Sequence, residues 1–304
     1  MDFGKLSDIS RVNFALPPNH PDTLPLLEAN RFDKLASPEV YIGTPVWVNK
    51  PWVGHYYPAT MREKDSLLWY GKQFNTIELN STHYHIPGQA TIERWRQSVP
   101  QGFTFCPKFP QLISHEAELS RSLDMTATFC EAIAGLEEKL GHSFLQLPPS
   151  FGPRQLKDLE TFIQYVPESV PLCVELRHPD WFADHVASLE LFEVLEKFRV
   201  GTVLSDVSGR RDVLHMRLTT PVAMIRFVGN ALHSTDYSRI DDWVVRLKQW
   251  FDAGLQKLYF FVHEPDNITS PDLAAYLIEK LNATCGFHLK MPKKFLQAKQ
   301  GELF

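Results

Sequence analysis

The stretch PLCVELRHPDW, residues 171–181, sets a carboxylate, a guanidinium and an imidazole at the end of an otherwise apolar run. Successive side chains on a strand point to opposite faces. Val174 and Leu176 therefore share an apolar face, Cys173, Glu175 and Arg177 share the other, and His178 and Trp181 fall in the loop beyond. A strand that becomes charged on one face only near its C-terminal end suits a barrel. Its inner face would open there onto an active site.

Seven more stretches read as strands: VYIGTPVWV (40–48), NTIELNST (75–82), FTFCPKF (103–109), SFLQLPP (143–149), VGTVLSDV (200–207), VAMIRFV (222–228) and KLYFFVHE (257–264). Segments with apolar residues at i, i+3 and i+4 lie between them, most clearly at 120–140, 153–166, 188–198, 238–254 and 271–281. Eight strands alternating with helices over about 250 residues predict a single (β/α)8 barrel of the α/β class. We place it at residues 39–289, after a Pro-rich N-terminal extension (1–38) and before a basic C-terminal tail (290–304). The competing architecture is a doubly wound open sheet. It would normally carry a glycine-rich turn after the first strand, and GTPVWVNKPWVG is not one.

The bulk properties fit a soluble enzyme-sized body. Of 304 residues, 44% are hydrophobic and 22% charged, and the net charge of −5 does not advertise a polyanionic partner. The four cysteines are far apart and lie mostly in apolar runs, which reads as reduced core thiols. The chain carries neither a signal-peptide pattern nor an apolar run of about 18 residues, so a cytoplasmic, non-membrane protein is expected.

Parity extends to the other strands. It turns Glu78 and Asn80 inward on the second, Lys108 on the third, Gln146 on the fourth, Asp206 on the sixth, Arg226 on the seventh and His263 on the eighth. All lie toward the C-terminal ends of their strands. Glu78 or Glu175 could act as general base, with His178 or His263 as general acid. Lys108, Gln146, Arg177 and Arg226 suit an anionic or oxygen-rich ligand. Glu78, Glu175, Asp206 and His263 could instead hold a single divalent metal, although the sequence requires no cofactor and three cations beside them argue otherwise. Glu78 and Glu175 also form the obvious pair for a glycosidase. Rim aromatics, including Trp47, Trp52, Tyr56, Tyr57, Tyr84, Trp181 and Phe182, offer stacking faces for a sugar or a base, so nucleic-acid binding stays open. The leading expectation is a hydrolase or lyase acting on a phosphate-bearing or polyol-type ligand. The alternatives are a DNA-repair-associated nucleic-acid binder and a non-catalytic small-ligand sensor.

The motifs IELNSTHY, FCPKFPQLISH, FLQLPPSF, VELRHPDW and IRFVG, with the Asp206 strand, resemble in order and spacing the YecE-like family, domain of unknown function 72. The likeness covers about residues 40–285. It implies the (β/α)8 barrel and marks Glu78, Asn80, Thr82, Tyr84, Lys108, His115, Gln146, Glu175, Arg177, His178, Asp206 and Arg226 as family-pattern positions. It brings no reaction with it. Two departures stand out: Val228 where the family pattern R-x-H-G has its imidazole, and VHEPDN in place of an asparagine-rich ending of strand eight. The final residues Gln300-Gly301-Glu302-Leu303-Phe304 are similar to the short peptides by which replication and repair proteins bind the sliding clamp, which makes the clamp a candidate partner.

Overall fold

The computed structural model describes residues 4–31, 37–115 and 118–295. The eight expected strands form: β1 (Glu39–Gly43), β2 (Thr76–Leu79), β3 (Thr104–Pro107), β4 (Ser143–Gln146), β5 (Leu172–Glu175), β6 (Gly201–Asp206), β7 (Val222–Val228) and β8 (Lys257–His263). Every pairing between them is parallel, in a six-stranded sheet ordered β1-β8-β7-β6-β5-β4 and a two-stranded sheet β2-β3. Parallel neighbours need crossovers. Helices Ser66–Gln73, Gln89–Ser98, Leu123–Ala134, Leu156–Tyr165, His185–Lys197 and Ser234–Ala253 supply six of them; the connection from β6 to β7 carries only the short 3-10 turn Arg211–Val213, and the helix Ser270–Cys285 follows β8.

The two sheets meet at two seams. The Glu78 amide donates to the Thr44 carbonyl at 3.3 Å, and the Asn75 side chain accepts from Ile42 N at 2.9 Å and donates to Val40 O at 2.8 Å. Gly43 permits this approach, because a Cβ there would sit 2.2 Å from the Thr76 carbonyl oxygen. At the second seam the Phe109 amide donates to the Phe144 carbonyl at 3.0 Å, beside a parallel bridge between Lys108 and Phe144.

Alternation along the strands separates two cores. Val174, Leu176, Leu204, Ile225 and Phe260 pack toward the helices in the larger core, while Cys106, Phe144, Cys173, Val203, Met224, Tyr259 and Phe261 pack together on the opposite faces. Burying each such leucine or phenylalanine stabilises the fold by about 1.5–3 kcal/mol. The pairing of Ser205 with Arg226 sets the phase of β6.

The N-terminal extension is built onto the body. Its prolines bar sheet pairing, and its free carbonyls instead accept from side chains. Arg246 donates to Pro17 O at 2.9 Å, and Trp250 Nε1 to the Asn19 side chain at 2.9 Å. Thr23–Ala29 forms a short helix, and Thr23 Oγ1 donates to Met216 O at 3.0 Å. At the other end of the arm, the Gly209 amide donates to Gly4 O at 2.8 Å, which carries the following residues over the C-terminal ends of the strands. The tail is docked up to the end of the described residues: the Lys293 amide donates to Gln73 Oε1 at 2.7 Å. Gln300–Phe304, the clamp-like segment, lies outside the described residues. Among the described residues, no helix is long and apolar enough to cross a membrane.

Candidate functional site

The C-terminal ends of the strands open into a pocket of about 810 Å³, whose lining includes Glu78, Asn80, Tyr84, Lys108, Gln146, Glu175, Arg177, Arg226 and His263. These nine residues, all singled out from the sequence, are therefore brought together. On its floor all of them except Tyr84 form one hydrogen-bonded chain. Arg226 reaches across: its Nε and Nη2 donate to the two Glu78 oxygens at 2.9 Å each, and its Nη1 donates to Glu175 at 2.8 Å. Arg177 Nε donates to the other Glu175 oxygen at 2.8 Å. The Gln146 amide donates to Glu175 at 2.8 Å and accepts from Lys108 Nζ at 2.8 Å. Asn80 and His263 contact Glu78, each at 2.9 Å.

This geometry changes the roles expected of the carboxylates. Burial alone would raise both, but Arg226 with His263 outweighs it at Glu78, and Arg177 with Arg226 outweighs it at Glu175. Both are held ionised, below the usual carboxylate range. Every oxygen of both groups is engaged, so in this arrangement they act as anchors for cations rather than as proton acceptors. A guanidinium also fills the gap that a paired-carboxylate glycosidase would leave for substrate.

Lys108 is the buried amine on this floor. It is 3% exposed, and its amine is pulled down to about 7 by burial and by the nearby Arg226. The cause is visible in the contacts. The carboxylates that could neutralise it are tied to arginines, and its own acceptor is a neutral amide.

Four expected residues stand apart from the pocket lining. Asp206 is fully buried and turned the other way, taking Arg239 Nη2 and Trp243 Nε1 at 2.7 Å each, with Arg211 also in contact. Its neighbour Ser205 lines the pocket instead. Trp181 is 0% exposed, with Nε1 donating to Phe151 O at 2.8 Å, so it is core rather than a stacking face. The His178 ring lies against Gly152 and its Nδ1 accepts from the Asp180 amide at 3.2 Å. The His115 ring sits 5.5 Å from that of His83. Among the other rim aromatics Trp52, Tyr56 and Tyr57 are buried, whereas Tyr84 is 73% exposed. The divalent-metal reading fails on the same geometry. Asp206 faces away, Arg226 occupies Glu78 and Glu175, and among the described residues no group of three or more His, Cys, Asp or Glu is placed to hold an ion.

The pocket also has walls that the strand pattern could not reveal. Lys5, Leu6 and Ile9 of the arm cover one side. The loop after β7 supplies another, with Ala231 and Leu232 at φ of 60° and 57°. Such conformations cost about 1–3 kcal/mol each in non-glycine residues. Glu264 offsets part of that by accepting from the Ala231 amide at 2.8 Å and the Leu232 amide at 3.4 Å. Burial, and then Asp236, push Glu264 up to about 7. Gly229 lies beneath it, and a Cβ there would sit 2.5 Å from the carboxylate, so any larger residue would displace Glu264.

Parallel strands with crossover helices, and a charged pocket at the strand ends, define a mixed α/β protein. Residues 41–295 match the family described as protein of unknown function DUF72, and the chain belongs to that family. It is 32% identical over 263 residues to the UPF0759 protein YecE of Escherichia coli strain K12, covering 81% of this chain and 93% of that protein. It is also similar to a crystal structure of a DUF72 family protein from Enterococcus faecalis V583, with a TM-score of 0.65 at 17% identity, over 85% of this chain and 100% of that one.

Proposed function

We propose that this chain is an enzyme of the hydrolase or lyase type whose pocket takes a small anionic, hydroxyl-bearing ligand, such as a phosphorylated polyol. The observation that carries the reading is the pocket floor itself. Two ionised carboxylates are saturated by arginines, leaving the Lys108 amine close to neutral among cations. An anion entering beside Lys108, Arg177 and Arg226 gains charge-assisted hydrogen bonds in a desolvated site. Lys108 then exchanges protons with the bound ligand near neutral pH, where a group with that affinity works best.

The reading takes the eight strands as one closed (β/α)8 barrel. The hydrogen bonds at both seams and the inner core on the strand faces support that closure. The test is a melting-temperature series with inorganic phosphate, glycerol 3-phosphate, gluconate and uncharged glycerol, followed by proton and phosphorus NMR of any mixture that stabilises the protein. The expected result is stabilisation by the anions and not by glycerol, reduced in Lys108→Met. Equal shifts for wild type and variant, or none with any anion, would reject the reading.

A further inference from the structure

The proposed anionic-ligand pocket raises a question about what its buried lysine does to that ligand. Most buried lysines find a carboxylate. Lys108 does not: among the described residues it has no ion-pair partner, and its Nζ is held 2.8 Å from the neutral oxygen of Gln146. Gln146 is itself fixed by donating to Glu175, so the amine is pinned on the pocket floor. Arg226, bound between the two glutamates, supplies a neighbouring positive charge. An amine desolvated beside a fixed cation sheds its proton and becomes a nucleophile.

We propose that Lys108 forms an imine with an anionic aldehyde or ketone, so that the ligand class of the pocket includes small carbonyl acids or carbonyl phosphates. The inference rests on the reading of the pocket as an anion site and adds the covalent step. The free Nζ lone pair adds to the carbonyl carbon while the π pair moves to oxygen. One proton passes from nitrogen to that oxygen, giving a carbinolamine. Protonation of the hydroxyl and loss of water then let the nitrogen lone pair form C=N as the protonated imine, which returns that proton to solvent to give the neutral imine. The balance is amine plus carbonyl going to imine plus water, with no oxidant or reductant consumed. Protonated, the imine draws electrons from the adjacent carbon, which is the activation a lyase needs. The residue position agrees with this use: Lys108 directly follows β3, at the end of the strands where bond-making groups collect.

Wild-type protein is incubated at pH 7 with glyoxylate, the smallest anionic aldehyde, and with uncharged propionaldehyde in parallel, under cyanoborohydride. Adducts are then assigned by peptide mass spectrometry. At that pH an exposed lysine has roughly 10³-fold less free amine than a group half deprotonated near neutrality. Lys108 is expected to be reduced onto glyoxylate at least about tenfold faster than the exposed Lys157, with prior phosphate slowing it. Labelling of Lys108 no faster than Lys157 by either aldehyde overturns the imine. Fast labelling by both aldehydes alike, unaffected by phosphate, keeps the nucleophile and rejects the anion site on which the pocket reading depends. The comparison is made within one folded protein, so it needs no variant.

Discussion

Replacing Arg226 with methionine removes the cation that ties the two buried glutamates together. Arg226 donates three hydrogen bonds of 2.8–2.9 Å, two to Glu78 and one to Glu175, and both carboxylates are essentially inaccessible to solvent. Breaking a buried pair costs about 3–5 kcal/mol, because the remaining charge is left uncompensated. That is a large share of the 5–15 kcal/mol or so that stabilises an ordinary domain. The pH dependence should also change sign. In the wild type both glutamates titrate below their unfolded values. Their contribution is therefore complete above about pH 4.3 and is lost as pH falls through the folded values. Glu175 keeps Arg177 in the variant, whereas Glu78 keeps only His263 and Asn80. Burial then dominates at Glu78 and lifts it above its unfolded value. In the variant the Glu78 contribution should be complete below about pH 4.3 and should fall by up to about 1.4 kcal/mol per pH unit as pH rises toward that folded value. Urea unfolding midpoints between pH 4 and 8 measure both effects. A loss under about 1 kcal/mol at pH 7, with a wild-type slope, would refute the bridging role.

Three further outcomes follow from individual contacts. Glu264 is raised to about 7, so it favours folding fully only below its unfolded value of about 4.3 and costs stability as pH climbs toward 7. Glu264→Gln should flatten the stability slope between pH 5 and 7, and unchanged unfolding midpoints at both pH values would contradict this. Asp206→Asn breaks the buried contacts to Arg239 and Arg211 and should cost about 3–5 kcal/mol by urea unfolding, while anion binding below the melting range stays at wild-type strength. Trp181→Ala empties a fully buried site and should likewise cost about 3–5 kcal/mol, again with binding intact; weakened binding in a stable protein would restore it as a ligand residue.

The strands were legible because parallel strands covered on both faces carry near-continuous apolar runs, and each run here is bounded by loop residues. Parity succeeded where one face turned polar at a single point, as with Glu175 between Val174 and Leu176, or Arg226 between Ile225 and Phe227. It failed on β6, where Val203 and Leu204 are both apolar and the sequence offers no phase. The pairing of Ser205 with Arg226, a tertiary fact, turns Asp206 toward the helix Ser234–Ala253. Trp181 was misplaced because an indole after a strand suits a rim or a core equally well, and only the Phe151 carbonyl decides between them. Lys5 and Leu6 went unread for another reason. A segment some 200 residues distant in sequence from Gly209 reaches the pocket through tertiary hydrogen bonds, such as that from the Gly209 amide to Gly4 O, which no local pattern encodes.

The most direct test of the central claim is the titration of Lys108 itself, followed by NMR of its ε-carbon between pH 5 and 11. A desolvated amine beside Arg226 should titrate at about 7, and should move upward when phosphate fills the pocket. If Lys108 titrates with the exposed lysines at roughly 10.4 and ignores phosphate, the pocket holds an ordinary ammonium ion and the functional account fails.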